Sequence, residues 1–570
     1  MEGNKLDISG KTSSDPPPSS YKPIPEKDME DDALSRPKSL VKVKTSSEAD
    51  GADEKMLPHD KPAEIICNEK SPQNGDAKLD IMEEKSAFVG LTKEELMKYA
   101  NDPFWVRLRW FLFITFWALW VTMLIGAVLI IYAAPKCDPP PPRTWWQKGP
   151  LTNLKEPTLE NVKHLDKNIK GVIITWPHDI YGYLDNISII QAISAVKNQG
   201  SNVIIELDPT TSNVWFNRSE KKDPEFIDYY IWKEGSNNAR DGSTSPPNNW
   251  VSQKNVSAWK YSETRNEYYY SPFDKPHLNF RNKAVLQQFT NVIQKFLALN
   301  ASGVSIHNAA YLLVDSNFEN EDTINPHSTV GHTQYPFYKH TKTHNLPEIG
   351  SLFKELRSFI RNKTENGPLL VAESLGKVES YKVNESLMVD MPLNSNVFSK
   401  TTISVNETVN SLNYTFNIDN IEWPLWQATS SGYPRDVLNI VTYLLPGAPL
   451  INFNETVDSD LLKIRESPSI MRGICGVYGL QNNTVLAFFR VTPGSPGVFV
   501  AFNPTNQTSV IDIPSEIPPL AKLEEVTVRY FSQNYNETAF MDVGVKRGAR
   551  SVPVTAKSAI VLEYVPKREE

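Results

Sequence analysis

Hydrophobic and polar positions divide this chain sharply. Residues 1–90 are rich in Pro, Ser, Lys, Asp and Glu, and Tyr21 and Phe88 are the only aromatics among them. Such a segment cannot bury enough apolar area to offset the entropy of ordering, so the pattern predicts a disordered tail. Thr92 followed by Glu95 is a capping box, and residues 91–109 read as a short juxtamembrane helix that Pro103 interrupts. The pattern then inverts. Trp110 to Ala134, WFLFITFWALWVTMLIGAVLIIYAA, holds 25 residues and no charge. At about 1.5 Å per residue it spans roughly 37 Å, enough for a hydrocarbon core of roughly 30 Å. Backbone groups in lipid must bond internally, so the segment is expected to be one transmembrane helix. It begins too far into the chain, and runs too long, for a cleaved signal peptide. Trp117, Trp120 and Leu124 recur at helical spacing within it, near Gly126. They are the expected face for a partner helix, against the alternative of ordinary lipid exposure.

From Trp145 strand-like and helical runs alternate. GVIITWP (171–177), NVIIELDP (202–209), GVSIHNA (303–309) and PLLVAES (368–374) are apolar, β-branched runs bounded by turn residues. ISIIQAISAVKNQ, AVLQQFTNVIQKFLALN and SLFKELRSFIRN lie between them with helical periodicity. Repeated βα units with continuously apolar strands mean a parallel sheet covered by helices. Over 145–470 this predicts a (β/α)8 barrel of TIM type. A polar, aromatic stretch at about 213–280 reads as an insert after strand 3. After about 470 short β-rich runs follow (TVLAFFRV, GVFVAFNP, SVIDIP, EEVTVRYF, SAIVLEYV), predicting an antiparallel β-sandwich over 471–570.

Composition adds sidedness. The 570 residues carry a net charge of −8, with no long basic run, so nothing points to nucleic acid. Lys and Arg flank the apolar span almost evenly and do not orient it. The sequons do. Asn-x-Ser/Thr occurs at Asn186, Asn217, Asn255, Asn300, Asn362, Asn384, Asn406, Asn413, Asn454, Asn482, Asn506 and Asn536, all after the span. A set of twelve on one side predicts a single-pass type II membrane protein, its N-terminus cytosolic and its ectodomain glycosylated. Three cysteines are too few for a disulfide scaffold. Cys137 lies just past the span, in a Pro-rich linker (135–144) on the oxidising side. That placement favours an intermolecular disulfide over palmitoylation or a free thiol. Cys67 would be reduced, and Cys475 a buried thiol.

Barrel, insert and β domain in this order resemble the α-amylase family of glycoside hydrolases. DYYIWKEG, PPNNWVS, AWKYSETRNEYYY and PHLNFRNKAV are similar to the insert of its α-glucosidase-like branch. WPLWQATSSGYPR and LLPGAPLINF resemble the segments around its last two strands. KEELMKYANDPFWVRLRWFLFITFWALW, the Cys137 stretch and TWWQKGPLTNL together resemble the heavy subunit of heteromeric amino-acid transporters, of the cell-surface-antigen heavy-chain and rBAT-like type. That resemblance implies an accessory, chaperone-like subunit at the plasma membrane. Cys137 would link it to a multi-pass light subunit, with no cofactor and no metal.

The family's chemistry needs two carboxylates at strand ends, one attacking the anomeric carbon and one protonating the leaving oxygen. By resemblance the nucleophile position is His307, and its supporting arginine is Ser305. The strand-seven motif Asn-His-Asp is Ser430, Ser431 and Gly432, and the strand-three motif runs from Glu206 to Thr210 and Thr211. Only Glu373 matches, at the general-acid position. A lone acid does not form a glycosyl-enzyme, so no catalytic residue is expected. His307 has no carboxylate or cysteine close by in sequence and reads as structural. A membrane-anchored α-glucosidase and a carbohydrate-binding or adhesion ectodomain are the alternatives.

Overall fold

The computed structural model describes residues 92–133, 141–237, 244–324 and 329–567. The tail over 1–90, Cys67 and Cys137 lie outside the described residues. The chain divides into two compact units, Met1–Ala134 and Pro135–Glu570.

In the first unit, α1 (Lys93–Ala100) opens on the capping box: Glu95 accepts from the Thr92 backbone N–H at 3.2 Å and from its hydroxyl at 3.0 Å. The long helix α2 spans Pro103–Ala133 and begins before Trp110. The cause is local. Pro103 takes the first helical position, where its missing N–H costs nothing, and Asp102 accepts from the Phe104 backbone N–H at 3.0 Å. The apolar run and its basic approach are therefore one helix of 31 residues, with no side chain buried within the unit.

The second unit is built on eight parallel strands. They are β1 (Leu151–Leu154), β2 (Gly171–Thr175), β3 (Asn202–Leu207), β4 (Gly303–Ile306), β5 (Leu369–Val371), β6 (Leu393–Asn394), β7 (Leu425–Gln427) and β8 (Ala448–Asn452). Except at β5 and β6, each pairs with its sequence neighbours, and β1 pairs with β8. At the remaining seam β5 and β6 meet only through a parallel bridge from Ser374 to Leu393. The sheet is thus a nearly closed barrel. Helices cover it with one apolar stripe each. α3 (Ile187–Asn198) buries Ile189, Ala192, Ile193 and Val196, and α4 (Lys283–Ala298) buries Val285, Phe289, Val292, Ile293 and Phe296. α5 (Ile349–Lys363), α6 (Val405–Asn413) and α7 (Arg435–Leu444) continue the ring. Strands covered on both faces read as unbroken apolar runs, as in GVIIT.

The barrel interior packs Ile173, Ile204, Leu370, Leu393, Leu425 and Leu450 together with Trp146 and Trp423. These tryptophans belong to a plug at the amino ends of the strands. The Trp146 indole donates to Asn366 O at 2.9 Å, and the Trp423 indole to Gln147 O at 2.9 Å. Arg465, 1% exposed, sits beneath. It donates to the carbonyls of Lys148 (2.7 Å), Gln147 (3.2 Å), Gly447 (2.7 Å) and Tyr443.

The insert carries a three-stranded sheet of Trp232–Lys233, Trp259–Ser262 and Glu267–Tyr270. Its aromatic richness is explained by packing, since Trp250, Trp259 and Tyr270 are buried around Phe318. The C-terminal region is a six-stranded antiparallel sheet. Its strands are β9 (Ile474–Leu480), β10 (Val485–Val491), β11 (Gly497–Phe502), β12 (Glu525–Phe531), β13 (Lys546–Gly548) and β14 (Ala559–Tyr564), in the order β9-β10-β11-β14-β12-β13. Alternate residues serve two cores. Val498, Val500 and Phe502 join the barrel's core, while Phe499 and Ala501 face the one shared with the strand pair Ser509–Ile511 and Val552–Val554.

Arg465→Ala is expected to lower stability by at least about 3 kcal/mol, because charge-assisted bonds are lost and buried carbonyls go unpaired. Chemical denaturation of the barrel-containing fragment measures it. Arg465→Lys should not restore the wild-type midpoint, since a point charge does not reach four carbonyls at once.

Candidate functional site: the cleft at the carboxyl ends of the strands

The carboxyl ends of β2, β3 and β4 converge on a cleft of about 310 Å³. Its walls include Trp176, His178, Glu206, Asp208, Lys275 and His307. This is the end of a parallel barrel at which active sites are built.

His307 stands directly past the end of β4. Its carboxylate partner is remote in sequence and adjacent in space: His307 Nδ1 lies 2.6 Å from Glu373 Oε1. β4 and β5 are hydrogen-bonded neighbours, so residues just past their ends face one another. Asn308, in the left-handed conformation (φ 57°), turns its own backbone N–H to Glu373 Oε1 at 2.8 Å. Its side-chain amide donates to Asp208 Oδ2 at 2.9 Å. Asp208 Oδ1 in turn accepts from the Thr210 hydroxyl (2.6 Å) and backbone N–H (3.0 Å). On the far side, the Thr175 hydroxyl donates to Glu206 at 2.9 Å. Three consecutive strand ends, those of β3, β4 and β5, are cross-braced through His307 and Asn308.

The electrostatics follow from this arrangement. The hydrogen bond to Glu373 holds the His307 imidazolium and raises its pKa to about 8, with Asp208 and Glu206 adding to the effect and burial opposing it. Burial raises the Glu206 carboxyl, helped by the negative charge of Glu373. Trp176 lines the cleft, and its indole N–H is buried without a hydrogen-bond partner.

The other motif positions are filled differently. Ser305 is 2% exposed within β4, and Thr210 is fully buried. The Ser430 hydroxyl donates to Lys400 O at 2.6 Å. Gly432 has no room for a side chain: a Cβ there would lie 1.8 Å from Thr401 O. Among the described residues no group of three or more metal-ligating side chains forms a metal site. Asp208, Asn308 and Trp176 were not singled out in the sequence. An Asn directly after a strand-end His, able to adopt a left-handed turn, was the available signal for Asn308.

Of the remaining expected residues, ten sequon asparagines are exposed, and Asn186 and Asn413 are half-buried. Trp117, Trp120 and Leu124 lie along α2, and the rings of Trp117 and Trp120 touch edge to face with centroids 5.6 Å apart. Cys475 carries a free thiol whose pKa burial pushes up to about 11.

Comparison with known families agrees with both units. The family model for the solute carrier family 3 member 2 N-terminus matches residues 76–152, and that for the α-amylase catalytic domain matches residues 177–436. The human amino acid transporter heavy chain SLC3A1 is 24% identical over 431 residues, covering 65% of this chain and 61% of the relative. The chain is thus similar to amino-acid transporter heavy chains, and its barrel is of the α-amylase type. It spans less than two thirds of the length of the human, rat and mouse SLC3A1 heavy chains. The rabbit heavy chain SLC3A2 is 47% identical over 83 residues, 14% of this chain and 16% of that one. Maltase A1 of Drosophila melanogaster is 31% identical over 226 residues, 37% of this chain and 38% of that one. The α-glucosyl transfer enzyme XgtA superposes with a TM-score of 0.57 at 14% identity, over 74% of this chain and all of the enzyme, a likeness of fold.

The brace makes stability depend on pH. With a folded-state pKa of about 8 against about 6.5 unfolded, the bound proton stabilises the fold. That contribution is fully present below about pH 6.5 and is lost as pH rises through about 8. Wild-type melting temperature should therefore fall modestly across this window, by more than that of His307→Gln. Both side chains are partly solvated, which keeps the effect small. Equal pH slopes would dismiss the brace.

Proposed function

We propose that this chain is the non-catalytic heavy subunit of an amino-acid transporter. Its tail (1–90) is cytosolic, α2 crosses the plasma membrane once in type II orientation, and the barrel and β domain are extracellular. Cys137 forms the interchain disulfide with a multi-pass light subunit, and Trp117, Trp120 and Leu124 meet that subunit within the membrane. The heavy subunit brings its partner to the surface and stabilises it there; the partner carries the solute. A single helix does not enclose a path for a polar molecule, so a separate multi-pass protein is required.

The observation that carries this reading is the coexistence of the heavy-chain N-terminal match with a barrel whose nucleophile position is a histidine braced to the would-be acid. Glu373 is committed to His307 and Asn308, and Gly432 excludes a third carboxylate. The twelve one-sided sequons support the orientation.

A second reading, a membrane-anchored α-glucosidase, is favoured by the similarity to maltases. Purified protein separates the two: the heavy-subunit reading expects no maltose hydrolysis above background, and a turnover comparable to a maltase would sink it. Native protein on a non-reducing gel should run heavier by one subunit and collapse on reduction, and Cys137→Ser should abolish the shift. Co-expression with light subunits should raise surface amino-acid uptake, whereas the chain alone should carry none.

A further inference from the structure

We infer that an N-linked glycan on Asn186 is the lid of the strand-end cleft. The inference rests on the type II reading, which places this residue in the secretory lumen. Asn186 caps α3, its carbonyl oxygen accepting from the Ile189 backbone N–H at 3.3 Å. That bond fixes the plane of the amide. With the oxygen turned into the helix, Nδ2 points the other way, to within 3.3 Å of His178 Nε2. His178 is a wall of the cleft. The atom that receives the glycan is therefore held at the cleft's rim.

The rim is also shaped for a sugar. Tyr183 packs edge-on against His178, with centroids 5.4 Å apart, and stays 52% exposed. Ile187 is 69% and Val214 45% exposed. Val214 Cγ2 would stand 3.1 Å from a Cβ at Gly182, directly before Tyr183. Three solvent-facing apolar side chains thus flank the sequon at the mouth of a polar cleft. The C–H face of an N-acetylhexosamine covers an aromatic ring well while its hydroxyls stay in water. Beneath it, the Glu206 and Asp208 carboxyls that line the cleft would be screened from larger solutes.

The modification itself is ordinary. The Asn186 Nδ2–C1 bond forms, the C1–O bond of a lipid diphosphate-linked oligosaccharide donor breaks, and the amide gives up one proton. The remaining N–H still reaches His178.

The test uses full-length protein from glycosylating cells and a Ser188→Ala variant. That change destroys the sequon and keeps Asn186 with its cap. Glycopeptide mass spectrometry reads occupancy, and the rate of ethoxycarbonylation by diethylpyrocarbonate reads the accessibility of His178. His164, exposed and outside the cleft lining, is the internal control. The expected result is an occupied Asn186 in the wild type, with His178 labelled several-fold faster in Ser188→Ala and His164 unchanged. Asn186 bare while other sequons are occupied would overturn the lid and leave the orientation standing. Every sequon bare would overturn both. An occupied Asn186 with equal His178 rates would overturn the lid alone.

Discussion

A positive charge with no carboxylate holds the barrel's closed end together. Arg465 is buried, and its hydrogen-bond partners are all main-chain carbonyls. Burying a charge is costly unless its donors are met, and a planar guanidinium meets several at once. The carbonyls come from the Trp145–Lys148 segment, from the end of α7 and from the turn into β8. One side chain thereby ties the start of the globular unit to its last barrel strand. Arg490 repeats the device nearby, donating to carbonyls of Leu444, Ile470 and Gly473 and joining the C-terminal sheet to the barrel. With the amino end sealed this way, the strand ends opposite are the open face.

Much of this was legible in the chain. Strands β2 to β5 announced themselves as apolar runs bounded by turn residues, and helices α3 to α5 by a long one-sided period. β1 and β7 offer no such run, since LTNL and LWQ carry polar residues, and β6 is only two residues long. β9 was missed because ICGVYGL is half-exposed and broken by two glycines. The site was legible in its losses and illegible in its gains. Aligned motifs showed which residues had gone, but the His307–Glu373 contact spans 66 positions and exists only because β4 and β5 are neighbours. Position alone could not have said that the retained acid had acquired a new partner.

The polar groups at the strand ends form one connected network. Glu206, Asp208 and Glu373 would repel one another if left bare. Hydrogen bonds from Thr175, Thr210, Asn308 and His307 give each a partner. The three carboxylates are thereby satisfied within the fold, and satisfied groups hold strands in register.

Gly432 carries a constraint of another kind. Where a Cβ would fall within 1.8 Å of Thr401 O, main-chain atoms fill the space a side chain would need. An exposed position tolerates exchange one residue at a time; a filled volume does not. Any larger residue at 432 would first require the loop at Thr401 to rearrange, so the two segments are free to vary only together.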